Sequence, residues 1–118
     1  MKFDAHSFLP LSPAVLHILL ALAGEERHGY GIMLEIARQT EGRHKVGPGT
    51  LYDNLKKLMD DKLVEESSRR LAADDDPRRR YYRLTANGRA VLSAEVTRLD
   101  NLVREARASL ESTRPRRA

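Results

Sequence analysis

Gly47-Pro48-Gly49-Thr50-Leu51-Tyr52-Asp53-Asn54-Leu55-Lys56-Lys57-Leu58 is the stretch on which the fold turns. Gly47 is a tolerable N-cap, and Pro48 suits the first helical position because it has no N–H to leave unpaired. Leu51, Leu55 and Leu58 recur at four and three residues and form one apolar stripe. Thr50, Asp53, Asn54, Lys57 and Asp60 then fall on other faces, with Gly49 near the open N-terminal end. Beyond Lys62 the period changes. Leu63 to Arg69 and Arg79 to Leu84 read as two short strands, separated by the turn-rich segment Leu71 to Pro77. In the second strand Tyr82 and Leu84 share one face, while Tyr81 and Arg83 share the other.

Upstream, Ser12-Pro13 repeats the start signal in stronger form, with a serine oxygen to accept a free backbone N–H. Ala14 to Ala23 is apolar on nearly every face, as expected of an enclosed helix, and Gly24 offers a left-handed stop. His17 within that run reads as a core-edge imidazole. A second helix is expected over residues 29–40, with Tyr30, Met33, Ile36, Ala37 and Thr40 as its buried face and Gly42 as its stop. Downstream, Thr85 caps a final helix that reaches to about Thr113. Leu92, Val96, Leu99, Val103, Ala106 and Leu110 are spaced 4, 3, 4, 3, 4 along it, a heptad seam. Such a helix is about 40 Å long, more than the preceding helices can cover, so the seam predicts a homodimer.

The expected architecture is therefore mainly α with a small two-stranded β wing: a winged helix-turn-helix plus a long C-terminal helix. It comprises an N-terminal arm (1–11), a winged-helix unit (12–85), a dimerisation helix (86–113) and a basic tail (114–118). Two helices form a platform that aims the third into a DNA major groove. Thr50 and Asn54 can reach phosphates or base edges, and Lys56 and Lys57 add positive charge. The wing contributes Arg78, Arg79 and Arg80, with Arg69 and Arg70 on the partner strand. Asp74, Asp75 and Asp76 can pair with these arginines, but exposed ion pairs are weak enough for DNA to displace. Asp53, repelled by phosphates, is read as a solvated helix residue.

At these residues the chain resembles the PadR family of regulators. Gly47 to Leu58 with Leu63-Val64 is similar to the family's recognition-helix signature, and His28-Gly29-Tyr30-Gly31 to its second-helix start. Arg79 to Thr85 with Gly88-Arg89 resembles its wing and final-helix start. The resemblance implies a dimer joined by the C-terminal helix, usually a repressor at palindromic operators. It carries DNA contact onto Gly49, Thr50, Tyr52, Asn54, Lys56 and Lys57, and backbone contact onto Tyr30 and the wing arginines. Asp53 stands where the family commonly has proline. Lys62 stands where it commonly has glycine, so the lysine must take a left-handed backbone, at about 1 kcal/mol, or end the helix differently. The short C-terminal segment resembles a compact branch, some of whose members bind flat aromatic compounds against a tryptophan. This chain has no Trp, which disfavours that kind of sensor, although Phe3, Phe8 and the final helix leave room for a small-molecule effector.

Composition limits the rivals. The 118 residues suit one compact domain, and a net charge of +4 is compatible with a polyanionic partner without requiring one. Without cysteine there are no disulfides, thiolate zinc sites or cysteine nucleophiles. The longest apolar run, 14–23, falls well short of the ~20 residues that span a bilayer, so no membrane partner and a cytoplasmic location are expected. Gly47-x-Gly49 lacks the third glycine and preceding strand of a dinucleotide loop. Glu25 and His28 lack a nearby nucleophile. His6, His17, His28 and His44 have no helical pairing for a metal, and no cofactor is expected. Two non-enzymatic alternatives remain. One is a protein-interaction module built on the heptad helix, without salt-dependent DNA affinity; the other is a non-specific architectural DNA binder.

Overall fold

The computed structural model describes residues 2–67 and 79–112. A short 3-10 turn (Ala5–Phe8) precedes α1 (Pro13–Gly24), β1 (Arg27–His28), α2 (Gly29–Gln39), α3 (Pro48–Asp60), β2 (Val64–Ser67), β3 (Tyr81–Leu84) and α4 (Ala86–Glu111). Local chemistry sets most of these boundaries. Ser12 Oγ accepts from the Val15 N–H at 3.2 Å, and Thr85 Oγ1 accepts from the Gly88 N–H at 2.9 Å. Each satisfies an otherwise orphaned helix donor. Gly47 and Pro48 begin α3 as expected.

Four expectations need correction. Gly24 does not terminate α1 in a left-handed turn; it is the last helical residue, and Glu25 follows in extended conformation. The helix needs no reversal there because the chain passes directly into a strand. That strand, β1, is the second correction: the sheet has three strands, not two, in the order β1-β3-β2 and antiparallel throughout. Arg27 and His28 pair with Tyr82 and Tyr81, a run too short to show alternation. Third, α2 buries Ile32 and Ile36, while Tyr30 is 59% exposed. The phase of its apolar stripe is set by α1 and α3 on both sides, and Tyr30 falls outside it. Fourth, the α2 stop at Gly42 is shared. Glu41 and Gly42 both have positive φ (54° and 76°), and the Gly42 N–H bonds the Ala37 carbonyl at 2.8 Å.

The core is one cluster. Ile18, Leu19 and Leu22 of α1 meet Ile32 and Ile36 of α2, the Leu51-Leu55-Leu58 stripe of α3, and Val91 and Leu92 of α4. Tyr82 and Leu84 join it from β3, as their alternation predicts. Tyr81, on the opposite face, is buried instead beneath the His28 ring, edge-on at 5.2 Å. Gly88 allows α4 to lie directly on the chain after α3, since a β-carbon there would collide with the Leu63 carbonyl.

The ends of α4 differ sharply. Its first turns bury Gly88, Val91, Leu92 and Glu95, whereas every described residue from Asp100 to Ser112 is exposed. Leu92 of the heptad seam thus belongs to the chain's own core, Leu99 is half-buried, and Val96, Val103, Ala106 and Leu110 face outward. Buried Glu95 holds the arm: its carboxylate accepts from the Leu11 N–H at 3.0 Å and pairs with Arg98. Hydrogen bonding to Arg98 and to the Leu11 N–H, against the opposing effect of burial, keeps its pKa below the usual carboxylate value. Arg69, Arg70, Asp74 to Asp76 and Arg78 lie outside the described residues, as do Thr113 and the basic tail 114–118.

Candidate nucleic-acid interface

α3 is anchored by its leucine stripe and leaves the opposite side open. Gly49, Thr50, Tyr52, Asp53, Lys56 and Lys57 are all exposed. Asn54 is half-buried, and its amide donates to the Thr50 carbonyl at 2.9 Å, four residues back on the same helix. With Lys57 it borders a shallow groove of about 170 Å³, lined by Phe8, Pro10 and Val15 among others. The candidates on α3 therefore divide. Gly49, Thr50 and Tyr52 lie around its N-terminal half, while Asn54 and Lys57 look towards the arm.

The orientation of α2 against α1 is set by Arg27. Its Nε donates to the Ala21 carbonyl at 2.8 Å, and its guanidinium lies 3.6 Å from Glu35. Glu35 is held down to about 2 chiefly by hydrogen bonds from Arg38, against an opposing effect of burial, with help from Gln39 and Arg27. The start of α2 is thereby brought against α3. A β-carbon at Gly29 would collide with the Tyr52 hydroxyl, so glycine is what lets the two helices approach there.

This approach creates a cleft of about 420 Å³ lined by His28, Gly29, Tyr30, Tyr52, Arg79, Arg80 and Tyr82. It gathers Tyr30, Tyr52 and the adjacent pair Arg79 and Arg80, drawn from three stretches 22 to 50 positions apart in sequence, where α2, α3 and the wing strand meet. Arg80 pairs with Glu66 at 3.1 Å, and Arg83 pairs with Glu65 at 2.8 Å. Both are exposed pairs, individually weak and open to exchange for another anion. Burial, with weaker contributions from Tyr52 and Glu66, raises the pKa of the Tyr82 phenol, so it remains a neutral hydroxyl. His28, Gly29 and Tyr82 were not among the sequence candidates for the site. The readable signal was His28-Gly29 at a helix start, but histidine is an unusual cap and the close approach is non-local.

Among the described residues no group of three His, Asp or Glu side chains could hold a metal ion, and no helix is long and apolar enough to cross a membrane. Residues 15–94 match the transcriptional regulator PadR-like family. The chain is 39% identical over 90 residues to the transcriptional regulator Rv3488 of Mycobacterium tuberculosis, covering 76% of this chain and 78% of that one. It is similar in structure to a PadR family transcription regulator from Clostridium difficile, with a TM-score of 0.65 and 25% identity, over 84% of this chain and 99% of the other. The fold also matches that of Bacillus subtilis PadR, solved in complex with operator DNA, at a TM-score of 0.60 and 22% identity, over 74% of this chain and 48% of that one. With its winged helix and matching motifs, this chain belongs to the PadR-like family, whose members are transcriptional regulators and not enzymes.

Proposed function

We propose that this regulator is a sequence-specific repressor that binds a palindromic operator as a homodimer in the cytoplasm, with room for relief by a small-molecule effector. The observation that carries the reading is the exposed N-terminal half of α3 standing beside the wing arginines across a single cleft. A helix end with free N–H groups, flanked by cations, can enter a major groove while the wing holds the backbone. Bacillus subtilis PadR, a protein of similar fold, is solved in complex with operator DNA, which supports a DNA-binding role for this fold.

For the dimer, support comes from α4, which carries Val96, Leu102, Val103 and Leu110 exposed on a helix that outruns its own core. A second copy covering this face would set two recognition helices about 34 Å apart, one turn of DNA. Occupancy of a promoter would then exclude RNA polymerase. An effector that preferred one angle between the two α4 helices would spoil simultaneous docking.

Selection of genomic fragments by the purified protein tests this directly. Enrichment of a short palindrome is expected from the wild type. Lys57→Ala and Arg79→Ala should each weaken binding on all sequences and reduce the salt slope by about 1. Uniform recovery of fragments would defeat the claim of sequence specificity, and unchanged affinity in both variants would defeat the assigned DNA face.

A further inference from the structure

Among the described residues two side-chain atoms are buried without a hydrogen-bond partner: Nδ1 of His17 and Nε2 of His44. Buried polar atoms are nearly always paired, so two orphans on neighbouring rings call for a reason. The rings stack, with centroids 4.6 Å apart and planes tilted by 33°. Ring lone pairs and N–H bonds lie in the ring planes, so rings stacked in this way do not satisfy one another.

The pair joins two elements that differ in freedom. His17 belongs to α1, which Ile18, Leu19 and Leu22 fix in the core. His44 belongs to the turn that links α2 to α3. Its N–H donates to Thr40 Oγ1 at 3.1 Å, and Thr40 closes α2 by donating to the Ile36 carbonyl at 2.8 Å. Two residues further on, Val46 is buried, and Gly47 is the N-cap of α3. Through the His44 ring, α1 therefore holds the chain that enters α3.

That hold requires neutral rings. A neutral imidazole can keep its hydrogen on the other nitrogen and leave only a lone pair at the buried one. An imidazolium carries N–H on both, so a proton places a charged donor where nothing accepts it. Other charges on the elements packed against α1 do not relieve this. Glu35 and Arg38 of α2 pair with each other, as do Glu95 and Arg98 of α4, and Arg83 of β3 pairs with Glu65. The lysines and aspartates of α3 are exposed, as are Arg43 and Lys45 beside His44. Burial, and then the charge of His44, lowers the pKa of His17.

We propose that His17 and His44 form a proton-operated latch on the turn between α2 and α3, closed while both rings are neutral. His44, on the turn, is the ring that can leave. Its departure loosens the start of α3 and lowers the population able to dock in a major groove. The latch rests on the DNA-binding reading above and adds regulation by pH to it. The closed latch excludes a proton, so closure is complete above about pH 6.5 and is lost as pH falls below that value. Acid therefore weakens DNA binding. Histidines that meet DNA directly act in the opposite sense, since an imidazolium attracts phosphates. One excluded proton limits the effect to about tenfold at a pH of about 5.5.

The test is fluorescence anisotropy of mixed-sequence duplexes at fixed ionic strength between about pH 7.5 and 5.5, with circular dichroism to check the fold. Wild-type affinity should fall about three- to tenfold over that range. His17→Phe and His44→Phe keep a stacked ring that takes no proton, and both should hold or gain affinity as pH falls. A wild-type affinity that is flat or rises with acid would overturn the latch. So would an equal loss in the two variants, which would place the titrating group elsewhere. If His17→Phe does not fold, His44→Phe, on a turn with exposed neighbours, decides. If the wild type binds no duplex at any pH, the DNA-binding reading fails, and the latch is judged by NMR. The Val46 and Gly47 amide resonances should then move with the titration of the His17 ring in the wild type and stay fixed in His44→Phe. Fixed resonances in the wild type would overturn it.

Discussion

Lys62→Gly should make this protein more stable, and the structure allows the gain to be worked out. α3 ends in a Schellman motif: the Lys62 N–H bonds the Met59 carbonyl at 3.0 Å and the Leu63 N–H bonds the Leu58 carbonyl at 2.9 Å. The motif requires a left-handed residue at Lys62, which has φ of 64°. Relaxation is blocked because the Lys62 carbonyl also accepts from Thr85 Oγ1 at 2.6 Å, and Thr85 in turn caps α4. An L-residue in this conformation costs about 1–2 kcal/mol. Glycine removes that cost but adds about 0.4–1 kcal/mol of unfolded-chain entropy, leaving a net gain of about 0.5–1 kcal/mol. The lysine side chain is exposed, so little packing is lost. Urea unfolding at fixed protein concentration should show a higher midpoint with an unchanged m-value, and the thermal midpoint should rise by about 2–4 °C. Gly42→Ala is the mirror control: at φ 76° with open space around its α-carbon, it should lower the midpoint through backbone strain alone. A Lys62→Gly midpoint equal to or below wild type would refute the reasoning.

Two further outcomes are expected. Stability should fall with acid in two stages. His17 has its pKa lowered from 6.5 by burial and then by the charge of His44, whose ring lies 4.6 Å away, so its contribution is complete above about pH 6.5 and declines as pH falls below it. Glu35, lowered from 4.5 to about 2, contributes above about pH 4.5 and loses that contribution as pH falls towards 2. Urea midpoints measured from pH 8 to 3 should show both, and a wild-type profile flat between pH 7 and 5 would remove His17 from the account. Leu99→Glu combined with Val103→Glu should yield monomers by light scattering and impair operator binding by tenfold or more, roughly the loss of paired half-site docking. A double variant that remains dimeric would exclude α4 as the dimer seam.

How far the sequence could be read depended on the range of the interactions. The starts of α1, α3 and α4 were legible because Ser12, Gly47-Pro48 and Thr85 act on backbone groups two to four residues away. The α3 stripe was legible for the same reason: Leu51, Leu55 and Leu58 share a face by helical geometry alone, which leaves Thr50 and Tyr52 on the open side. At Lys62 the resemblance left two outcomes open, a left-handed backbone or a different stop, and the structure shows the left-handed one. By contrast, the burial of Ile32 in place of Tyr30 depended on where α1 and α3 pack. Glu95 looks in sequence like any solvated helix carboxylate. Only the fold brings it to the Leu11 N–H, 84 positions away.

The same division holds for the functional face. The sequence alone marked the open side of α3, Arg79 and Arg80 ahead of β3, and the outward-facing Val96, Val103 and Leu110 of α4, because each is a periodic or contiguous pattern within a short stretch. Tertiary structure decided that the sheet has three strands, that Gly29 must be small beneath Tyr52, and that His28 is a helix cap with its Nε2 beside Arg79. The pairing of the third strand, the Gly29–Tyr52 approach and the His28–Arg79 proximity join residues 23 to 55 positions apart. No local periodicity encodes them, since they exist only once the core has fixed the distance between α2, α3 and β3.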